Sequence, residues 1–328
     1  MRNTIKLKLK IVITNTALII LGITVAVFLV EGYFRLYNPY SALGAGTELE
    51  WMRLDIETSS FDLTKMFTID PDFGFRPILG NEIYNIYGTK LNKYKIDNKF
   101  GKTRLLFMGD SVIDHGKFIR ALEDVYGEEK FEYWNAGVGS FNTIQEVKLY
   151  KRYNFSINPD HVILTFHLND FGSTPIAFLN AENRLVVHAP NKPLKNLNPW
   201  LFKNSYIYRL YLGINLKEEK EREAISNEIR QSLKELRDIL TRDDISLTVL
   251  VLPIFKPYED WEPNELESRY EILQILDSLH IRHFDLLEVL NTAIDQGVNI
   301  QEKPGDTWHP SKEICILFAN YLFLKKLL

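Results

Sequence analysis

A serine hydroxyl becomes a useful nucleophile when an imidazole can take its proton and a carboxylate holds that imidazole in the right tautomer. The chain carries the groups for this at two distant places. Met108-Gly109-Asp110-Ser111 sets a serine after a glycine that permits a tight strand-to-helix turn, although the same serine also suits a helix N-cap. Asp306-Thr307-Trp308-His309-Pro310 sets an acid and a base three residues apart, a spacing that lets the carboxylate reach one ring nitrogen and leaves the other for a serine. Two more segments offer hydrogen-bond donors. Asn135-Ala136-Gly137-Val138-Gly139-Ser140 has the composition of a loop with freely presented backbone N–H groups, and taken alone it is only a turn. Asn169-Asp170 closes an apolar run, where an amide can donate into a crevice.

Each segment is weak by itself, so the elements that would position them matter. From Thr103 onward apolar runs alternate with amphipathic segments: RLLFM then FIRALEDVYG, FEYWNAGV then TIQEVKLYKRY, HVILTFHL, a charged helix from about Lys217 to Arg242, SLTVLVLPI, NELESRYEILQILDSL, IRHFDL and a last helix from Ser311. Continuous apolar strands alternating with helices predict a parallel sheet covered on both faces, an α/β doubly wound, flavodoxin-like fold of about five strands. Ligands of such sheets bind beyond the carboxyl ends of the strands, and Ser111, the Asn135–Ser140 loop and Asn169 all fall at such ends. Residues 172–215 read as an insertion flanking that site.

The four segments together resemble the blocks of the SGNH (GDSL-like) hydrolase superfamily, over roughly Thr103 to the C-terminus. The resemblance implies Ser111 as nucleophile, His309 as general base and then acid, Asp306 as its orienter, and an oxyanion hole from the Ser111 N–H, the Asn169 amide and a backbone N–H of the second block. It departs from the family pattern twice. Ser140 stands where the second block usually has glycine, with Gly139 as the fallback donor, and His167 stands two before the Asn-Asp pair, where glycine is common. His167 reads as a strand-end histidine or, alternatively, as a substrate contact; Phe171, Trp308 and Trp200 are candidates for a wall against a sugar, with plain packing as the ordinary role of an aromatic. The implied activity is serine-dependent hydrolysis of an acyl ester through an acyl-enzyme, with no metal and no cofactor. The alternatives are an O-acyltransferase using the same intermediate and a catalytically silent glycan-binding domain. A metallophosphoesterase would need Asp110, Asp114, His115 and Asn169 as ligands, and more strand-end ligands than the chain supplies.

The N-terminus sets location. Arg2, Lys6, Lys8 and Lys10 precede an almost uncharged stretch from Ile11 to Val30, about the length of a bilayer-crossing helix, and bulky Phe28, Leu29 and Val30 do not suit a signal-peptidase site. The expected organisation is therefore a cytoplasmic basic tail (1–10), an uncleaved signal-anchor (11–30), a juxtamembrane segment of short strands and turns (31–102), and an extracytoplasmic catalytic domain (103–328). An envelope saccharide or lipid ester is the expected substrate class. With a net charge of −4 and no basic run in the body, the chain has no nucleic-acid surface to offer. The single cysteine, Cys315, cannot form an intrachain disulfide and suits a core position. Asp114-His115 reads as loop and the charged helix as solvated surface.

Overall fold

The structure, a computed structural model, describes residues 2–37, 63–172, 174–179, 185–188, 199–208 and 219–328. Residues 38–62 of the juxtamembrane segment, most of the insertion and the first residues of the charged helix lie outside them.

Five strands form the central sheet: β3 (Thr103–Met108), β4 (Phe131–Asn135), β5 (His161–His167), β8 (Ser246–Leu252) and β9 (Arg282–Asp285), all parallel, in the order β4-β3-β5-β8-β9. This is the flavodoxin-like order, and the chain reverses direction across the sheet between β3 and β5. The central strands explain the continuous apolar runs. Every residue of β5 is buried, because helices cover both faces of a parallel sheet. β1 (Phe67–Asp70) and β2 (Gly74–Pro77) form a separate antiparallel hairpin, as do β6 (Ile176–Leu179) and β7 (Leu185–His188).

The helices are α1 (Arg2–Tyr37), α2 (Ser111–Asp114), α3 (Lys117–Tyr126), α4 (Thr143–Arg152), α5 (Pro199–Asn204), α6 (Glu219–Arg242), α7 (Pro263–Ser278), α8 (Leu287–Asp295) and α9 (Lys312–Leu324). α3 packs against α9, and α4 against α6. The starts of two helices follow from local chemistry. Asn142 caps α4 in a reciprocal box with Gln145, and the Ser311 hydroxyl accepts from the Ile314 N–H to start α9. Cys315 is buried on α9, and burial pushes its thiol up to about 12, so it stays a protonated core residue.

The structure corrects two expectations. The charged helix α6 is not simply solvated surface: Ile225, Ile229, Leu233, Leu236 and Leu240 recur every three or four residues and are buried in the core. Its charges occupy the remaining faces. The helix α8 has no counterpart among the expected elements. Leu286 alone separates it from β9, so strand and helix read as one apolar stretch, and the only local start signal is the Asp285 carboxylate, which accepts from the Leu287 N–H at 3.1 Å.

α1 is longer than its apolar part. Ile11–Leu36 has a mean hydropathy of 2.4 and none of it is buried, so the helix is long and apolar enough to cross a membrane. Its last turns are gripped by the insertion. Glu31 accepts from the Ser205 hydroxyl at 3.1 Å and from the Tyr206 and Ile207 N–H groups at 2.9 and 3.1 Å, while Arg35 donates to the Asn204 carbonyl at the end of α5.

Residues of the segment 63–102 pack directly on the loop after β4. Phe67, Phe73, Phe75 and Tyr84 are buried in a second apolar cluster together with Val138 and Phe141, which belong to the loop after β4. The hairpin turn is held by Asp70, whose carboxylate accepts from the Asp72 N–H at 2.9 Å, and by Gly74 at φ +77.

Candidate active site

β3 delivers Met108 and stops. Asp110 then caps α2, its carboxylate accepting from the Val112 N–H at 2.9 Å, and Ser111 becomes the first residue of that one-turn helix. Gly109 is required here by space rather than by dihedral angle. A Cβ at this position would lie 2.1 Å from Thr165 Oγ1 and 2.6 Å from Ile113 Cγ1. Gly137 meets the same demand in the loop after β4, where a Cβ would lie 2.3 Å from the Asp114 nitrogen. The two loops can therefore touch, and they are stitched together: Ala136 N–H donates to the Phe107 carbonyl at 2.8 Å, Val138 N–H to the Gly109 carbonyl at 3.1 Å, and the Asn135 amide to the Ile113 carbonyl at 2.8 Å.

His309 arrives from the other end of the chain. His309 Nε2 lies 2.9 Å from Ser111 Oγ, and His309 Nδ1 lies 2.8 and 3.0 Å from the two oxygens of Asp306. Asp306 Oδ1 also accepts from the Trp308 and His309 N–H groups, both at 3.1 Å, which closes the loop before α9 around its own carboxylate. Partial burial pushes the Asp306 carboxyl up, but the His309 hydrogen bond and those two N–H groups outweigh it and hold the group below the usual carboxylate range. Asp306 is thereby kept ionised, as an orienter of imidazole must be.

Two further segments supply candidate donors. Ser140 adopts φ +66, the left-handed region in which a side chain is strained, and its side chain is exposed. This is the dihedral that makes glycine the ordinary choice there. The serine side chain points outward at a steric cost, and neither its N–H nor that of Gly139 donates to another described residue. Asn169 is exposed at the end of β5, with its amide nitrogen 3.5 Å from Asp110 Oδ2. Ser140, Asn169, Phe171 and Trp308 all line one cleft of about 550 Å³, together with Arg222 and Asn264. The His309–Ser111 contact can abstract a hydroxyl proton, and the Asn169 amide offers a donor next to Asp110, the residue that precedes Ser111.

Not every candidate lies where the sequence placed it. His167 is buried to 1%, below the exposed surface of the cleft, and its ring packs edge-on to Trp308 and alongside Phe255. Trp200 stands exposed on α5, outside the cleft lining. Asp114 and His115 are not loose loop. Asp114 ends α2, and its Oδ1 accepts from the Tyr84 hydroxyl at 3.1 Å and pairs with Lys90 Nζ at 2.6 Å. Burial and the Asp114 charge both push the Tyr84 phenol up, so it remains a donor. Among the described residues no cluster of His, Cys, Asp and Glu is arranged to hold a metal ion.

One feature of the site has no forewarning in the four sequence blocks. The His115 ring stacks on His309, with centroids 4.9 Å apart, and its Nδ1 lies 3.4 Å from Glu302, which also pairs with Lys117 at 2.6 Å. The only sequence signal is the position of His115, one turn of helix beyond Ser111. Beneath the site two further carboxyls are wholly enclosed. Burial first, and neighbouring acids second, push Glu146 and Asp170 well above the usual carboxylate range; of the two only Asp170 has hydrogen-bond partners, among them the Thr143 hydroxyl at 2.6 Å.

No family model matches the sequence, and no curated protein matches it. Among solved structures, the acetylxylan esterase Axe2 of Geobacillus stearothermophilus is similar over 70% of this chain and 96% of its own, with 16% identity and a TM-score of 0.46. LAE5, described as an alpha/beta hydrolase enzyme from the metagenome of Lake Arreo, Spain, is similar over 68% of this chain and 95% of its own, with 12% identity and a TM-score of 0.46. The acetyl xylan esterase AlAXEase is similar over 68% of this chain and 98% of its own, with 13% identity and a TM-score of 0.45.

Proposed function

We propose that the chain is a serine esterase that moves the acyl group of an ester first to Ser111 and then to water. The observation that carries this reading is the unbroken line from Asp306 through His309 to Ser111, at 2.8 and 2.9 Å. As Ser111 Oγ attacks the ester carbonyl, His309 Nε2 takes its proton and Asp306 stabilises the imidazolium. Negative charge moves onto the carbonyl oxygen, toward the Ser111 N–H, the Asn169 amide and the N–H of Ser140. The tetrahedral intermediate collapses, the alcohol leaves with the proton from His309, and the acyl group stays on Ser111. Water then repeats the sequence with His309 as base, releasing the acid and free serine. No step calls for a metal or cofactor.

The substrate class we propose is an acyl ester, such as an acetyl ester, of an envelope saccharide or lipid, met outside the cytoplasm by a domain anchored through α1. Two features support it: aromatic Trp308 and Phe171 beside polar Asn169 and Asn264 in the cleft, and an N-terminal helix apolar enough to span a bilayer after a basic tail. The test uses the full-length protein in detergent with a short-chain aryl ester. Ser111→Ala and His309→Ala should each abolish turnover, and an organophosphonate should label Ser111; labelling of a different serine overturns the assignment. Adding an oligosaccharide acceptor separates the two outcomes of an acyl-enzyme. Free acid forming regardless of acceptor supports the esterase, whereas acylated saccharide forming faster makes the protein a transferase. A reporter fused after Leu328 should be active only outside the cytoplasm.

A further inference from the structure

Asn169 is a poor oxyanion donor on its face. Its side chain is exposed at the mouth of the cleft, its two terminal atoms differ only in that one donates and the other accepts, and a half-turn of the amide would aim an oxygen at the place where negative charge develops. Whatever fixes that half-turn decides whether the residue helps or hinders the reaction.

Two groups bear on it from opposite sides. Asp110 Oδ2 lies 3.5 Å from the amide nitrogen, too far for a strong hydrogen bond but near enough that an amide oxygen in its place would be repelled by the carboxylate. On the other side His167 Nδ1 lies 3.0 Å from Asn169 Oδ1. The histidine is the last residue of β5, in register with Leu252 of β8, so the sheet holds its backbone. Edge-on contact with Trp308 at 5.2 Å and parallel contact with Phe255 at 6.2 Å hold its ring. Burial pushes its pKa down despite the pull of Asp110 and the Asn169 hydrogen bond, so the ring is neutral and carries a single N–H. If that N–H is on Nδ1, it donates to Asn169 Oδ1 and turns the amide nitrogen outward to the cleft. If it is on Nε2, it points into a buried space where Nε2 has no partner, and Nδ1 demands the amide nitrogen for itself. The second arrangement leaves a buried donor unpaired and sets an amide oxygen against Asp110; it loses on both counts.

We infer that His167, in its Nδ1–H tautomer, is a positioning residue for the oxyanion hole: it sets the direction of the Asn169 amide and never touches substrate. The inference rests on the proposed esterase reading for its kinetic consequence, but not for its structural one. It also gives a reason for the histidine at a place where the SGNH pattern commonly has glycine.

The experiment compares His167→Asn, whose side-chain amide can place a donor where Nδ1 stands, with His167→Phe, which fills the space without a donor, in the full-length protein. His167→Phe should lower kcat by about 10²-fold and leave KM within about threefold, because a misdirected donor fails mainly on developing charge. His167→Asn should recover at least about tenfold of that loss. In an Asn169→Ala background His167→Phe should cost less than about twofold more, since its route of action is already gone. Equal defects in the two single variants, or losses that multiply in the double variant, would overturn the inference. Should His167→Phe fail to fold, nitrogen NMR of the wild-type histidines decides it directly: a proton on Nδ1 supports the inference and a proton on Nε2 refutes it. That measurement stands even if the wild-type protein hydrolyses no ester, so failure of the esterase reading and failure of this inference are separable.

Discussion

Replacing Gly109 with alanine adds one methyl group where there is no room for it. The new Cβ would stand 2.1 Å from Thr165 Oγ1 and 2.6 Å from Ile113 Cγ1, against an ordinary contact of 3.4–4 Å, so something has to move by more than an ångström. Neither neighbour can swing clear. Thr165 and Ile113 are buried to 1% and 0%, and Thr165 is β-branched and donates to the Met108 carbonyl at 3.3 Å. Overpacking of this kind costs about 1–3 kcal/mol, or about 2–4 °C in melting temperature for each kcal/mol in a domain of this size. The larger effect is on rate. Ile113 lies two residues beyond Ser111 on the same helical turn, and displacing that turn spoils the 2.9 Å contact with His309, where a misplacement of about 1 Å is worth about 10²-fold. The assays are thermal unfolding by intrinsic fluorescence and ester turnover, in Gly109→Ala and in Gly109→Ala with Thr165→Ala. The second change removes the nearest atom but not Ile113, so it should restore some of the stability and less of the rate. A Gly109→Ala protein melting within about 1 °C of wild type and turning over within about threefold would refute the steric argument.

Ser140→Gly should stabilise the protein by about 0.5–1 kcal/mol, as relief of a left-handed serine exceeds the added chain entropy, and should keep the rate within about threefold because only the backbone N–H is proposed to act. A large rate loss in a variant that still unfolds cooperatively in denaturant would show that the hydroxyl matters. Glu146 and Asp170 keep their protons in the folded state well above the pH at which the unfolded chain releases them, so their contribution to stability is full at low pH and declines as pH rises past about 4. Glu146→Gln keeps the shape without the titration; denaturant melts should show a flatter stability curve between about pH 5 and about pH 8, and an unchanged slope would mean that Glu146 is ionised when folded.

How much of this is legible in the sequence depends on whether the information is local. The alternating apolar runs announce the parallel sheet, because a buried central strand such as His161–His167 has to be apolar on both faces. α6 reads as solvated surface because its many charges hide a stripe that shows only when residues are counted in threes and fours, and α8 escapes notice because no breaker separates it from β9. At the site, the spacing of Asp306 and His309 anticipates their contact, which spans one short loop. The meeting of His309 with Ser111 crosses 198 residues and rests on a pattern of blocks rather than on any local signal. The His115 stack and the Tyr84–Asp114–Lys90 contacts are not legible, since each joins residues far apart in the chain with nothing unusual in their neighbourhoods. The departure at Ser140 is visible as a residue type, and only the backbone angle gives it meaning.

The grip of Glu31 and Arg35 on residues 204–207 changes what kind of attachment α1 provides. A body hung from a membrane by chain alone sweeps a hemisphere, and its opening meets whatever lies within the radius of the leash. A second point of purchase removes most of that freedom. If α1 is embedded, as proposed, the segment 204–207 is held at the height where the span ends, and whatever packs on that segment is held with it. On the proposed reading, esters held near that height would be met at high effective concentration and identical esters beyond it would not, so selection among them could rest on altitude before any side chain in the cleft makes a distinction.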